Sequence, residues 1–85
     1  MTNKISAGLI GELLLGEQED WYVGVCTVTV DGDYVHVLGE NDHKVGTVDT
    51  NAYYVESWLT GDAVVDLPAV ADEVNAHIDA EHEAL

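Results

Sequence analysis

The chain has 85 residues and a formal net charge of −15, because 17 Asp and Glu residues are opposed by only Lys4 and Lys44, with no arginine. This length allows one domain, spanning residues 1–85, and its 47% hydrophobic content is typical of a globular protein rather than a disordered acidic tail. Nucleic acids and anionic membranes are bound through Lys and Arg, so the composition excludes direct binding to either.

The first predicted element is an amphipathic helix over residues 3–15. Asn3 or Ser6 is expected to cap its start, and Gly16 is expected to end it. Residues 17–20 then read as a solvated connector. The apolar side chains recur at a spacing that places them on one helix face: Ile5, Leu9, Ile10, Leu13 and Leu14.

Three strands are predicted next, over residues 21–30, 34–38 and 43–48. The first is rich in β-branched and aromatic residues, and both of its faces are partly apolar. This composition suits an interior strand with cover on each side. The dipeptide Asp31-Gly32 indicates a tight hairpin turn between the first two strands.

The second half of the chain predicts one more strand and a long helix. Residues 52–59 form the strand by composition, although a short helix also fits them. Residues 63–67 are open between a short strand and the start of a helix. From Pro68 to about His82 the spacing predicts an amphipathic helix capped by Asp66. Its buried stripe is expected to be Val70, Val74 and Ile78.

This order of elements predicts a two-layer α+β domain. An antiparallel sheet of three or four strands is flanked by an N-terminal and a C-terminal helix. The valine-rich strands could pair across an exposed sheet edge, which leaves a homodimer open. No signal peptide or membrane-spanning segment is expected, so we predict a cytoplasmic protein.

No residue pattern predicts catalysis, a cofactor or a metal site, and we expect a non-enzymatic protein. Cys26 is the only cysteine, and its place among valines predicts a buried side chain without a disulfide partner. The serines lack a nucleophile elbow, and the glycines form no phosphate-binding loop. A divalent-metal-binding domain is kept as a third interpretation, although the four histidines lack HExxH or CxxC spacing: His36, His43, His77 and His82.

The acidic residues recur along the whole chain instead of forming one tail. On a folded domain they are expected to form a shell of carboxylates. Duplex DNA carries one negative charge per about 1.7 Å of its axis, so such a shell could fit a cationic DNA-binding cleft. The alternative is a small non-enzymatic domain of a halophile, or a phage accessory protein, whose acidity serves solubility in high salt.

Residues 55–59 resemble the edge strand of the phage uracil-DNA glycosylase inhibitors. That family carries a Glu-Ser-aliphatic motif on a strand that enters the enzyme's DNA-binding groove. Here Glu56 and Ser57 match its first two positions, and Trp58 replaces the aliphatic residue. A Leu-Pro helix start follows in the family, as Leu67 and Pro68 do here. The resemblance implies a DNA mimic that contacts the enzyme's DNA-intercalating region through Glu56 and Ser57. Apolar groups between sheet and helix would receive an enzyme side chain.

The predicted partner is therefore the basic cleft of a nucleic-acid-binding protein, in the host cytoplasm if the chain is phage-encoded. Carboxylates would replace phosphates, and exposed aromatic residues would supply the apolar anchor that is common at binding hot spots. No cofactor is needed for stoichiometric occupation of a cleft. The predicted partner-binding residues are Tyr54, Glu56, Ser57, Trp58, Asp72 and Glu73.

Overall fold

The computed structural model describes residues 4–84. Its elements are α1 (Ala7–Leu15), β1 (Trp21–Val23), β2 (Cys26–Asp31), β3 (Tyr34–Leu38), β4 (Lys44–Asp49), β5 (Tyr54–Glu56), β6 (Ala63–Val65) and α2 (Leu67–Ala84), with a 3₁₀ helix at Thr50–Tyr53. The β3–β4 turn contains Asn41 and Asp42, both with a left-handed φ of 59°. Strands β1 to β4 form one antiparallel meander, and β5 pairs with β6 in a separate hairpin. The two helices flank the four-stranded sheet, which confirms the predicted α+β class.

The core lies between the helices and one face of the meander. The predicted α2 stripe of Val70, Val74 and Ile78 is fully buried, as is Ile10 of α1. Because side chains alternate along a strand, every second strand residue reaches this core. The buried sheet residues are Val23, Cys26, Val28, Val35, Val37 and Val48.

Helix α1 is shorter at its start than the sequence predicts. Ser6 is the N-cap, and its hydroxyl accepts a hydrogen bond from the Leu9 amide at 3.1 Å. Ile5 lies outside the helix because its backbone N–H and C=O both bond the side chain of Asn75 on α2. The hydrogen bonds to Asn75 thus take the place of helical hydrogen bonds at Ile5. Gly16 ends the helix in the left-handed conformation, as predicted, and Asn3 lies outside the described residues.

The single strand predicted over residues 21–30 is wrong, because the chain reverses inside it. Gly24 adopts a positive φ of 57°, and Val23 pairs directly with Cys26 across a two-residue turn. The expected cover on both faces is wrong for the same reason. The reversal sends Val23 and Cys26 to the core together, while Tyr22 on the other face is 69% exposed.

The hairpin predicted between β2 and β3 is present, with its turn shifted by one residue. Asp31 pairs with Tyr34, so the central residues are Gly32 and Asp33 rather than Asp31 and Gly32. Gly32 has a φ of 62°. A glycine with positive φ in the first central position is the type II′ pattern, whose twist matches that of the flanking strands.

The fourth strand predicted over residues 52–59 is largely wrong. Only Tyr54–Glu56 is extended, and this strand joins β6 rather than the main sheet. The residues left open at 63–67 divide between β6 and the start of α2. Asp66 caps α2 as predicted, since its carboxylate accepts a hydrogen bond from the Ala69 amide at 3.3 Å.

Candidate functional site

The surface is a shell of carboxylates. None of the 17 Asp and Glu side chains is buried, and 13 of them are exposed. The remaining four are half-buried: Asp49, Asp66, Asp79 and Glu81. Lys4 and Lys44 are exposed, and the ion pairs within 4.0 Å among residues 4–84 join histidines to glutamates only. The negative field is therefore almost unopposed by local cations.

Among residues 4–84, five of the eight exposed large apolar side chains lie on the β5–β6 hairpin: Tyr54, Val55, Trp58, Leu59 and Val64. Its strands are joined beyond Glu56 by a hydrogen bond from the Ser57 amide to the Asp62 carbonyl, at 2.8 Å. The Gly61 amide donates back to the Ser57 carbonyl and closes the turn. Residues 58–62 are all exposed, and Trp58 leads them at 89%. The turn thus holds the Trp58 side chain in solvent, and the acidic residues Glu56 and Asp62 flank it in the hairpin.

The structure gathers four of the six predicted partner-binding residues on this hairpin. Tyr54 and Glu56 are exposed on β5, Ser57 is half-buried at the start of the turn, and Trp58 lies at the tip. The other two, Asp72 and Glu73, are exposed on α2. The predicted set therefore occupies two separate elements, of which only the hairpin combines acidic and large apolar groups.

An apolar groove lies between α1 and the hairpin, with a volume of about 310 Å³. Sequence reasoning placed no binding residue here, although Leu15 and Val64 fall outside the predicted core. Leu15 is 76% exposed and Val64 is 43% exposed. The residues that line the groove are Gly11, Leu14, Leu15, Val64, Val65 and Leu67.

Two of the four histidines, His77 and His82, pack from α2 against the sheet, and His43 contacts α2 from the exposed β3–β4 turn. His77 lies against Gly46 of β4, and His82 lies against Gly24. A Cβ added to Gly46 would overlap the His77 ring, and one added to Gly24 would overlap the His82 ring. The imidazole of His43 contacts the Glu81 carboxylate at 3.1 Å. A hydrogen bond with the Glu40 carbonyl, and then the charge of Glu81, raise the pKa of His43 above its ordinary value.

These side chains do not form a metal site within residues 4–84, where no three His, Cys, Asp or Glu groups converge on one point. Cys26 is buried beneath α2, and this burial raises the pKa of its thiol, as does the nearby charge of Glu81. The thiolate, which is the reactive form of cysteine, is thereby disfavoured.

Comparison of the chain with family models, curated proteins and solved structures found no match in any of the three. Within the described part of the chain, no helix has the length and apolar character that crossing a membrane requires. The features of the surface that bear on function are the hairpin, the groove and the carboxylate shell.

Proposed function

We propose that this chain is a non-enzymatic inhibitor that occupies the basic cleft of a nucleic-acid-processing enzyme. One observation carries the proposal: the hairpin tip exposes Trp58 and Leu59, at 89% and 74%, on a surface with a net charge of −15. Exposed apolar side chains grouped together are typical of an interaction surface. The surrounding carboxylates favour a cationic partner and disfavour an anionic one.

The two kinds of group act at different distances. The carboxylate shell attracts a basic cleft from beyond contact range and raises the rate of association. At short range, Trp58 supplies the rigid aromatic anchor that dominates many interfaces. Glu56 and Asp62 lie on either side of the tip, where they replace the phosphates that the cleft normally binds.

The resemblance of residues 55–59 to phage uracil-DNA glycosylase inhibitors supports uracil-DNA glycosylase as the first target to test. Glu56 ends β5 and is exposed, and Ser57, which opens the turn, is half-buried and still reaches the surface. The groove beside Val64 and Leu15 is the apolar site that would receive an enzyme side chain. A cytoplasmic location in the host belongs to the same proposal.

The experiment has two arms. In the first, uracil excision from a uracil-containing duplex is measured while the chain is titrated against the glycosylase, and inhibition should be complete near one equivalent. In the second, proteins from a bacterial lysate are bound to the immobilised chain at low salt and eluted with duplex DNA. A captured protein that duplex DNA displaces binds the chain and DNA through the same site.

The variant Trp58→Ala/Leu59→Ala should lose most of this binding. Tyr22→Ala is the matched control, because Tyr22 is 69% exposed on the open sheet face, away from the hairpin. Equal loss in both variants would contradict the role of the hairpin. Recovery of no DNA-binding enzyme at low salt, or of enzymes that duplex DNA does not displace, would contradict the proposal itself.

The even spread of the carboxylates favours a second candidate, a small domain of a halophile in which acidity serves solubility. Exposed acidic residues occur on both helices and in every connection between strands of the main sheet except the Gly24-Val25 turn. In molar salt such a surface stays hydrated and its self-repulsion is screened. This candidate predicts no specific partner and a fold that requires high salt.

A further inference from the structure

His43 makes two contacts that a neutral imidazole cannot satisfy together. Its Nδ1 lies 2.8 Å from the Glu40 carbonyl oxygen, and its Nε2 lies 3.1 Å from Oε2 of Glu81. Both neighbours are acceptors, whereas a neutral imidazole has only one N–H to donate. The doubly protonated ring, with a donor on each nitrogen, fits both contacts.

Glu81 depends on this cation more than the exposed carboxylates do. Its side chain is only 13% exposed, while that of His43 is 56% exposed. A carboxylate withdrawn from water is costly unless it is paired and hydrogen-bonded. Neither Lys4 nor Lys44 approaches it within 4.0 Å, so His43 is its ionic partner among the described residues.

We propose that His43 and Glu81 form a proton-controlled clasp between the β3–β4 turn and the last turns of α2. Protonation of His43 closes the clasp, and loss of that proton opens it. Gly39 makes the contact possible, because a Cβ at this position would overlap both the Glu81 carboxylate and the His43 ring. The clasp is independent of the proposed function, since it lies on a different part of the surface from the hairpin.

The direction of the pH effect follows from the raised pKa of His43. The hydrogen bond to the Glu40 carbonyl is the main cause, and the charge of Glu81 adds to it. A group whose pKa is higher in the folded state contributes its full stability below its ordinary value of 6.5. That contribution is lost as the pH rises through the higher folded-state pKa. The clasp is therefore closed in mildly acidic solution and open in alkaline solution.

Several titratable groups surround the clasp, and the dipole of α2 favours release of Glu81 once the proton is lost. Glu40 lies on the same turn as His43, and its charge also acts on the ring. Glu81 lies near the carboxyl end of α2, where the helix dipole disfavours a negative charge. Cys26 faces Glu81 from β2. On α2 itself, the neighbouring titratable positions are His77, His82, Glu83 and Asp79.

The first test is an NMR titration of the His43 ring in the full chain. Glu81→Gln should lower the pKa of His43, because glutamine keeps an acceptor oxygen but removes the negative charge that favours the protonated ring. Glu73→Gln is the matched control, because Glu73 is also on α2 but lies 4.0 Å from His77 instead. An unchanged His43 pKa in Glu81→Gln would overturn the proposal.

The second test measures amide hydrogen exchange at the end of α2, over residues 79–84, after correction for the intrinsic effect of pH. In the wild-type chain these amides should be several-fold better protected at pH 5.5 than at pH 8.5. His43→Gln should remove this difference, whereas His36→Gln, on the open sheet face beside Thr47, should retain it. A pH dependence that survives in His43→Gln would overturn the clasp, since another titrating group, such as His77 or His82 on the same helix, would then explain it.

Discussion

Asn75 of α2 and the backbone of Ile5 form a reciprocal pair of hydrogen bonds. The Ile5 amide donates to Oδ1 of Asn75 at 2.9 Å, and Nδ2 of Asn75 donates to the Ile5 carbonyl at 3.0 Å. Both residues are buried, so water cannot replace either bond. This pair joins the segment before α1 to the middle of α2.

Replacing this side chain should therefore destabilise the fold. Asn75→Ala leaves a buried N–H and a buried C=O unpaired, and should lower the free energy of unfolding by about 1–3 kcal/mol. Urea unfolding followed by circular dichroism measures the change. Asn51→Ala is the control, because the Asn51 side chain bonds Asp33 on the exposed surface. Equal destabilisation in both variants would contradict the role of the buried pair.

Gly46 provides a second test of packing, since the His77 ring lies directly over it. Gly46→Ala should destabilise the fold by about 1–3 kcal/mol, because an added methyl group overpacks the contact. The double variant Gly46→Ala/His77→Ala should recover much of the loss. If the two substitutions were simply additive in thermal unfolding, the contact would carry no coupling energy.

Gly8 offers the opposite outcome within α1. A Cβ at this position would meet only the Ser6 hydroxyl, at 4.0 Å, which is ordinary contact. Gly8→Ala should therefore stabilise the chain by about 0.5–1 kcal/mol, because alanine loses less backbone freedom on folding. A fall in the midpoint of urea unfolding would show that the start of α1 packs more tightly than this geometry indicates.

Cys26 should be unreactive in the folded chain. Its side chain is 1% exposed, and burial raises the pKa of its thiol, so both access and thiolate formation are limited. Labelling with a thiol reagent at pH 8 should proceed only as fast as the protein unfolds. The urea-unfolded chain is the control and should react at once. Rapid labelling without denaturant would indicate that the end of α2 opens readily over β2.

Salt separates the two candidate functions. As an inhibitor of an enzyme in ordinary cytoplasm, the chain should fold cooperatively in dilute buffer. Added KCl should raise the free energy of unfolding by only about 1 kcal/mol, which corresponds to a rise in Tm of roughly 4–8 °C for a domain of this size. Circular dichroism melting over a KCl series measures this. A chain that is unfolded at low salt and refolds in molar KCl would favour the halophile.

The elements with strong local signals were predicted correctly. Helix α2 follows from its apolar spacing, from the cap at Asp66 and from Pro68 in the first turn. The β2–β3 hairpin follows from Gly32. The reversal at Gly24 was missed because a lone glycine among valines and aromatic residues also fits a continuous strand. The turn at Gly24 is favoured by tertiary packing, because it lets both Val23 and Cys26 be buried in the core.

The candidate site was predicted only in part, because local sequence does not determine which strands pair. The resemblance to the glycosylase inhibitors placed Glu56 in the predicted set and the aromatic side chain of Trp58 placed it there as an anchor, but the sequence could not pair β5 with β6. Strand composition gives the tendency to be extended and not the choice of partner. The contact between His43 and Glu81 left no local pattern, since the two residues are brought together only when α2 packs on the sheet.

The hairpin formed by β5 and β6 touches the core only at its base, where Val65 packs against it. Its turn, residues 58–62, is fully exposed, and none of the buried core side chains comes from it. Substitutions in this turn should not unfold the chain, because they leave the packed interior untouched. Five consecutive residues could thus be replaced without repacking the core, and this turn would be a practical place to graft foreign sequences.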